Sequence, residues 1–149
     1  MPDTLEFTLD KFTFRVADDR FYSPEGVWAK AEAGGVRLGL SDFLQQRSGD
    51  VAFSELKPLG ASLRVGDEFA VIETIKVDIS LSAPLSGKII AVNPDMETTP
   101  EAINQDPYGA GWLALVEAAD WDRDRLHLLD PQAYLEKIKI QAEQEVNKG

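Results

Sequence analysis

Residues 65–92 read VGDEFAVIETIKVDISLSAPLSGKIIAV, and this stretch decides the fold. Apolar and polar residues alternate before Lys76, with Phe69 and Val71 on one face, and they alternate again after it. Such a period-two pattern is typical of half-buried strands. Because the two strand patterns meet at residues 73–76, we predict a hairpin with Lys76 near its tip and the lysine stem in water.

Two glycines frame this lysine at nearly equal separations along the chain. Gly66 precedes Lys76 by ten residues, and Gly87 follows it by eleven. Each glycine stands where a tight turn would lead into or out of a strand. Asn, Gly or Asp would form the tip of a hairpin better than lysine does, so this frame favours a functional lysine over a solvated charge.

The rest of the chain is mostly strand-like to about residue 92, then mixed, then helical. Alternation, glycine turns and capping residues mark the individual elements. In chain order we predict a strand at 12–16, a hairpin of 27–32 with 36–40, a short helix over 42–48, a strand at 51–56 and a second short helix starting at 99–102. Asp42 with Gln45 resembles a capping box for the first short helix, and Gly49 suits the position after it.

A C-terminal helix is predicted from Asp130-Pro131, a cap followed by a residue suited to the first helical position. Leu135, Ile138 and Ala142 fall on one face of this helix, which is therefore expected to pack on the core. Residues 143–149 have little to bury and are expected to fray.

The length and charge indicate one acidic domain. The chain has 149 residues, so we treat 1–149 as a single domain in which 1–20 is a strand-like N-terminal extension and 130–149 is the helix with its frayed tail. Fifteen basic residues against 26 acidic ones give a net charge of −11. A field of that sign repels phosphate backbones and anionic lipids, so neither nucleic acid nor a membrane is an expected partner.

Residue counts exclude several kinds of site. The chain has no cysteine, which excludes disulfides, thiolate metal sites and cysteine nucleophiles. His127 is the only histidine, so no metal site is expected. No apolar stretch approaches the ~18 residues that span a bilayer, and no leader pattern is visible at the start, so a cytoplasmic location is expected.

Four blocks carry a resemblance to a known family, and they occur in that family's order. They are GLSDFLQQRSGDVAFSE at 39–55, ETIK at 73–76, APLSGKI at 83–89 and NQDPYGAGWL at 104–113. Together they resemble the glycine cleavage H-protein family, whose members carry lipoate on a hairpin lysine. The resemblance covers about residues 22–118 and extends to the C-terminal helix.

The resemblance implies a mainly β barrel-sandwich hybrid of the lipoyl/biotinyl type, with short helices and a C-terminal helix. It implies that lipoate is joined by an amide bond to Lys76 and that the protein is a carrier, not itself an enzyme. The attachment motif and the contacts with the lipoate-attaching enzyme would then involve the residues around this lysine: Glu73, Thr74, Ile75, Val77, Gly66 and Gly87. Biotin carriers use a related hairpin, but methionines normally flank their lysine, whereas Ile75 and Val77 flank Lys76 here.

Other notable side chains have a structural interpretation. Trp28, Tyr108 and Trp112 are expected to be core aromatics. Asn104 is expected to shape a turn.

The chain departs from the family at its H-E-W signature, where it has Gly26-Val27-Trp28. Because a titratable histidine is lost, the cargo is expected to differ. The pattern resembles the lipoate-binding branch that works with a heterodisulfide-reductase-like complex in sulfur oxidation, and this carrier function is our expectation. The alternatives are the aminomethyl shuttle of glycine cleavage and an unmodified scaffold. Expected partners are a lipoate-attaching enzyme, the heterodisulfide-reductase-like complex or glycine cleavage enzymes, and, as a further candidate, dihydrolipoamide dehydrogenase.

Overall fold

The computed structural model describes residues 3–148, with side chains up to residue 146. The strands are β1 (Thr4–Leu9), β2 (Phe12–Ala17), β3 (Phe21–Tyr22), β4 (Val27–Glu32), β5 (Gly35–Leu40), β6 (Val51–Leu56), β7 (Ser62–Leu63), β8 (Glu68–Thr74), β9 (Asp78–Ser82), β10 (Gly87–Val92) and β11 (Ala114–Ala118). The helices are α1 (Asp42–Ser48), α2 (Ala102–Gln105), α3 (Trp121–Asp124) and α4 (Pro131–Lys148).

Two antiparallel sheets enclose the main core. The larger has the strand order β3-β4-β5-β11-β10-β7, and the smaller has the order β6-β8-β9. Fully or almost fully buried side chains from both sheets meet between them, among them Leu38, Val116, Phe69, Ile72 and Leu81. This arrangement is the predicted mainly β barrel-sandwich hybrid, and the fold prediction is confirmed.

The strand pattern before Lys76 needs one correction. The pairing of β8 with β9 shifts register between Glu68 and Ala70, as in a β-bulge. Phe69 and Ala70 are therefore both buried, and Ile72 rather than Val71 continues the inward face. The bulge corrects the prediction that Phe69 and Val71 share a face.

The N-terminal extension folds as a β1–β2 hairpin that packs outside the two main sheets. Asp10 occupies its turn with a φ of 56°, a conformation that aspartate tolerates better than most residues. A second apolar cluster joins this hairpin to α1 and α4 and contains Phe14, Phe43, Leu135 and Ile138. The hairpin is thus a packed element with its own buried side chains.

The N-terminal cap of α1 differs from the sequence interpretation. The cap of α1 is Ser41, whose hydroxyl accepts the Leu44 N–H, while Gln45 donates to the Asp42 side chain within the helix. Helix α4 continues through Lys148 with residues 143–146 exposed, Gly149 lies outside the described residues, and the fraying of 143–149 stays a prediction. An ion pair between Glu145 and Arg47 of α1 helps to hold this last turn.

Candidate functional site

Lys76 lies at the exposed tip of the β8–β9 hairpin, between the paired residues Glu73 and Asp78. The Thr74 hydroxyl organises this tip. Its oxygen accepts the N–H groups of Lys76 at 3.2 Å and Val77 at 3.0 Å, and its own proton is donated to the Val77 carbonyl at 2.9 Å. The Thr74 N–H donates to the same carbonyl, also at 2.9 Å. These bonds fix the backbone on both sides of the lysine.

The stem of Lys76 lies over the loop that follows α1. A Cβ built on Gly49 would stand 3.4–3.6 Å from three carbons of the Lys76 side chain, so the stem passes directly across this glycine. Gly49 has a φ of +90°, a conformation that favours glycine. The Ile75 N–H donates to the Asp50 carbonyl at 3.1 Å and ties the tip to the same loop.

Asn104 holds this loop in place through three side-chain hydrogen bonds. Its amide nitrogen donates to the Gly49 carbonyl and to Gln45 Oε1, both at 3.0 Å, and its oxygen accepts the Val51 N–H at 2.9 Å. From the sequence, Asn104 was expected only to shape a turn, whereas it lies in α2. Its position in NQDPYG gave no sign that it would support residues more than 50 positions earlier in the chain.

The structure places the remaining predicted site residues in two groups. Glu73, Thr74, Ile75 and Val77 surround Lys76, with Ile75 and Val77 exposed and Glu73 half-buried. Gly66 and Gly87 are not beside the lysine: Gly66 precedes β8 and Gly87 opens β10, so both lie away from the tip.

The two glycines are required for different reasons. Gly66 has a φ of +93° in open space, as the predicted turn requires. At Gly87 a side chain would meet the backbone of Glu117 on β11, so close strand packing rather than a turn requires glycine there.

An apolar groove begins beside Lys76 and was not foreseen from the sequence. It encloses about 400 Å³ between the β1–β2 hairpin, α1 and the end of α4. Six of its lining residues are aromatic or aliphatic, namely Leu9, Phe12, Phe14, Phe43, Ala142 and Val146, and five are polar or charged, namely Asp10, Gln46, Arg47, Lys76 and Glu145. The sequence sign of this groove was the alternation of Phe12 with Phe14 on β2, which puts both rings on one face of the strand. The core buries Phe14 but leaves half of Phe12 exposed.

The aromatic region around Trp28 is structural. Trp28 is fully buried and donates from Nε1 to the Pro107 carbonyl at 2.9 Å, while Tyr108 and Trp112 are partly buried. The Arg20 guanidinium lies 4.5 Å from the centre of the Trp28 ring, which is a cation–π distance. Asp19 pairs with both Arg20 and Lys30, and Glu32 pairs with Arg37.

Ionisable groups near this region have shifted pKa values. The Arg37 hydrogen bond outweighs burial and lowers the pKa of Glu32. Burial raises the pKa of Tyr108 to about 12, so its hydroxyl stays protonated at neutral pH. That hydroxyl donates to the Arg15 carbonyl at 2.6 Å and accepts the Asp42 N–H at 3.2 Å, which links the hairpin to α1.

Residues 3–148 offer neither a cluster of metal ligands nor a membrane-spanning helix. No group of three or more His, Cys, Asp or Glu side chains in this range could hold a metal ion. None of the helices described is both long enough and apolar enough to cross a membrane.

The barrel-sandwich fold and the lysine-tipped hairpin define a carrier domain of the lipoyl/biotinyl type. Residues 20–141 match the family described as glycine cleavage H-protein. The chain is 39% identical over 116 residues to the glycine cleavage system H protein of Oceanobacillus iheyensis, covering 78% of this chain and 91% of that protein. It is 43% identical over 118 residues to a probable glycine cleavage system H protein of Natronomonas pharaonis, with coverage of 79% and 94%.

A solved structure agrees with these sequence matches. The crystal structure of a glycine cleavage system H protein from Mycobacterium marinum superposes with a TM-score of 0.74 at 29% identity, covering 83% of this chain and 99% of that one. The chain belongs to the glycine cleavage H-protein family.

Proteins of this family carry lipoate joined to a lysine. The residues present fit this group. Lys76 is exposed at an ordered tip, its stem is supported by Gly49, and the groove that begins beside it is apolar enough to accept a hydrocarbon chain.

Proposed function

We propose that Lys76 carries the lipoyl group and that the protein is the aminomethyl carrier of glycine cleavage. The strongest support is the position of Lys76, the lysine of the ETIK block, at the hairpin tip. Four hydrogen bonds of Thr74 hold the backbone of this tip in place. An attaching enzyme must reach one amine and ignore the others. A rigid, exposed tip presents that amine with little ordering cost.

Lipoate supplies a cyclic disulfide that accepts a fragment on one sulfur and is later regenerated by two-electron thiol–disulfide chemistry. The chain's own residues do not catalyse this reaction. Thr74 and Gly49 set the direction in which the arm leaves the surface, and Asn104 keeps the supporting loop in place. The protein is therefore a carrier rather than an enzyme, and its specificity depends on which enzymes bind around Lys76.

The surface around the tip suits transient docking. Ile75 and Val77 expose about three quarters and half of their surface, and Phe53 on the neighbouring strand exposes 68%. The net charge of −11 favours enzymes with a basic rim around the site that receives the arm. On this proposal the partners are the lipoate-attaching enzyme, the glycine cleavage enzymes and a dehydrogenase that reoxidises the arm.

The expected sulfur-oxidation function finds no support in the comparisons, because the relatives named above carry the glycine cleavage name. One feature still favours it as the second candidate. Gly26 stands where the family has histidine, with a φ of +106° and with Tyr134 Oη and Ser41 Oγ only 3.1 and 3.2 Å from the position of a Cβ. A histidine here would be strained by the positive φ and would require these neighbours to shift by a few tenths of an ångström.

A loading experiment tests the proposal. The full chain is lipoylated, mixed with glycine and a purified glycine decarboxylase from glycine cleavage, and followed by intact mass. We expect an aminomethyl increment on wild type and on Lys88→Arg, a matched change at another exposed lysine, and none on Lys76→Arg. Lipoylated protein that gains no increment from glycine but gains sulfur from a heterodisulfide-reductase-like complex would overturn the aminomethyl assignment in favour of the second candidate.

A further inference from the structure

We propose that the outer face of the larger sheet holds a binding site for a small molecule with an oxyanion group, a carboxylate or a phosphate, at Lys30 and Arg37. This site goes beyond the proposed carrier function, because Lys76 lies on the β8–β9 hairpin of the other sheet. Both basic residues line a cavity of about 380 Å³, a volume in the range of small-molecule sites. Residues of β4, β5 and the loop before β11 enclose this cavity, together with Arg20.

Strand pairing places two positive charges side by side at this cavity. Lys30 on β4 is directly opposite Arg37 on β5 in the antiparallel pairing. Their neighbours along the strands, Ala29 and Leu38, are fully buried, so the two basic side chains stand on the outer face. Like charges directly opposite each other on neighbouring strands lower stability. Packing of the sheet therefore does not explain why two cations occupy this pair, whereas binding of an anion does.

The carboxylates nearby balance the cations only in part. Asp19 pairs with two of them, Arg20 at 2.7 Å and Lys30 at 3.6 Å. Glu32 binds Arg37 through both of its oxygens, at 2.8 and 2.9 Å. Among the described side chains, three cations thus meet two carboxylates, which leaves one positive charge here on a protein whose net charge is −11. Besides the Arg37 hydrogen bond, the charges of all three cations lower the pKa of Glu32, so their fields overlap at this site.

Two of the cations have different roles at the cavity. Arg20 is fixed, because its side chain is 2% exposed, lies 4.5 Å from the centre of the Trp28 ring and donates from Nη1 to the Tyr108 carbonyl at 3.1 Å. Lys30 is accessible, because 36% of its side chain is exposed and its ion pair with Asp19, at 3.6 Å, is longer than a hydrogen bond. Its ammonium group carries three N–H donors. We therefore expect Lys30 to donate to the ligand and the buried arginine to add positive charge.

Arg37 is oriented before any ligand binds. Its guanidinium lies 4.2 Å from the centre of the Trp112 ring, a cation–π distance, and its Nε and Nη2 donate to Glu32. Within the described residues, these bonds leave Nη1 for a ligand oxygen. A cation that is already oriented loses little conformational freedom when an anion binds to it.

A titration of the full chain, without partner enzymes, tests the site. The probes are benzoate and phenyl phosphate, with benzyl alcohol as the uncharged control, all at constant ionic strength. In NMR spectra the indole N–H signals of Trp28 and Trp112 report on the cavity, and Trp121 on α3 is the control. We expect at least one of the two anions to shift the cavity signals with saturation and to leave the Trp121 signal in place. The anion that binds more tightly distinguishes a carboxylate ligand from a phosphate ligand.

Variants of Lys30 separate a specific site from a general effect of salt. Lys30→Gln should weaken binding about tenfold, because it removes the accessible charge and its charge-assisted hydrogen bonds. Lys30→Arg keeps the charge, and Lys137→Gln changes an exposed lysine of α4, so both should bind within about twofold of wild type. Saturable shifts with neither anion, equal shifts with benzyl alcohol, or the same affinity in Lys30→Gln as in wild type would overturn the site. Each of these results leaves the proposed lipoylation of Lys76 unaffected, because mass analysis tests that modification separately.

Discussion

The hydroxyl of Thr74 donates one hydrogen bond and accepts two at the tip that presents Lys76. Its removal therefore tests whether these bonds are needed to present the lysine. Thr74→Val keeps the shape and the β-branched side chain that suit a strand end. It deletes the acceptor for two backbone N–H groups and the donor to the Val77 carbonyl. The backbone bond from the Thr74 N–H to Val77 remains.

The size of the effect follows from the exposure of these groups. Each bond would contribute about 0.5–1.5 kcal/mol in a protected site. At the tip, water replaces the lost partners, so we expect the three together to contribute about 1 kcal/mol to the ordered tip. A loss of that size lowers the population of the ordered tip about fivefold relative to disordered forms.

Kinetics of lipoylation measure this directly. We expect kcat/KM of a lipoate-attaching enzyme to fall about fivefold for Thr74→Val. Thr74→Ser, which keeps the hydroxyl, should remain within about twofold of wild type. If Thr74→Val is lipoylated as fast as wild type, the tip does not need this hydroxyl and the reasoning is refuted. Urea unfolding of the variants should show a loss of no more than about 1 kcal/mol, which separates a local effect from misfolding.

Three further changes have definite expected outcomes. Gly87→Ala should lower the free energy of unfolding by about 2–4 kcal/mol, because the new methyl group meets the Glu117 backbone. Gly66→Ala has open space and only an unfavourable φ, so it should lower that free energy by about 1–2 kcal/mol. Equal losses in urea titrations would contradict this difference. Asn104→Ala leaves the Gly49 and Val51 backbone groups without partners and should cost about 2 kcal/mol and slow lipoylation; a normal lipoylation rate would show that the loop does not position Lys76. Burial alone would raise the pKa of Asp19, but the hydrogen bond and charge of the adjacent arginine, with the charge of Lys30, lower it below the ordinary value. The stability that Asp19 contributes is therefore present above the unfolded pKa and is lost as the pH falls through the folded pKa. Asp19→Asn should differ from wild type in urea midpoint at pH 7, and the two midpoints should converge in strong acid.

The elements that carry the site could be predicted from local pattern. Alternation on both sides of Lys76 was sufficient to predict the hairpin, because strand pairing follows a period of two. The β8 bulge was not foreseen, since a bulge leaves a single extra residue in an otherwise regular apolar run. Gly87 was assigned to a turn, but the reason it must be glycine is the approach of β11, a contact between residues far apart in the chain.

The groove and its support could not be predicted, because both form from distant segments. Phe12, Phe43 and Val146 come from three parts of the sequence, and only the packing of the hairpin and α4 on α1 brings them together. The ion pair of Glu145 with Arg47 could not be predicted for the same reason, since Arg47 lies almost 100 residues earlier in the chain. Asn104 likewise acts on a loop that the sequence does not connect with it.

The central claim is that Lys76 bears the lipoyl group, and the intact mass of the protein from its native cells, with peptide mapping, tests it most directly. We predict a lipoyl increment on the peptide that contains Lys76 and its complete loss in Lys76→Arg. An unmodified Lys76 in cells that lipoylate other proteins, or lipoate on a different lysine, would contradict the account and favour the unmodified scaffold or another attachment site.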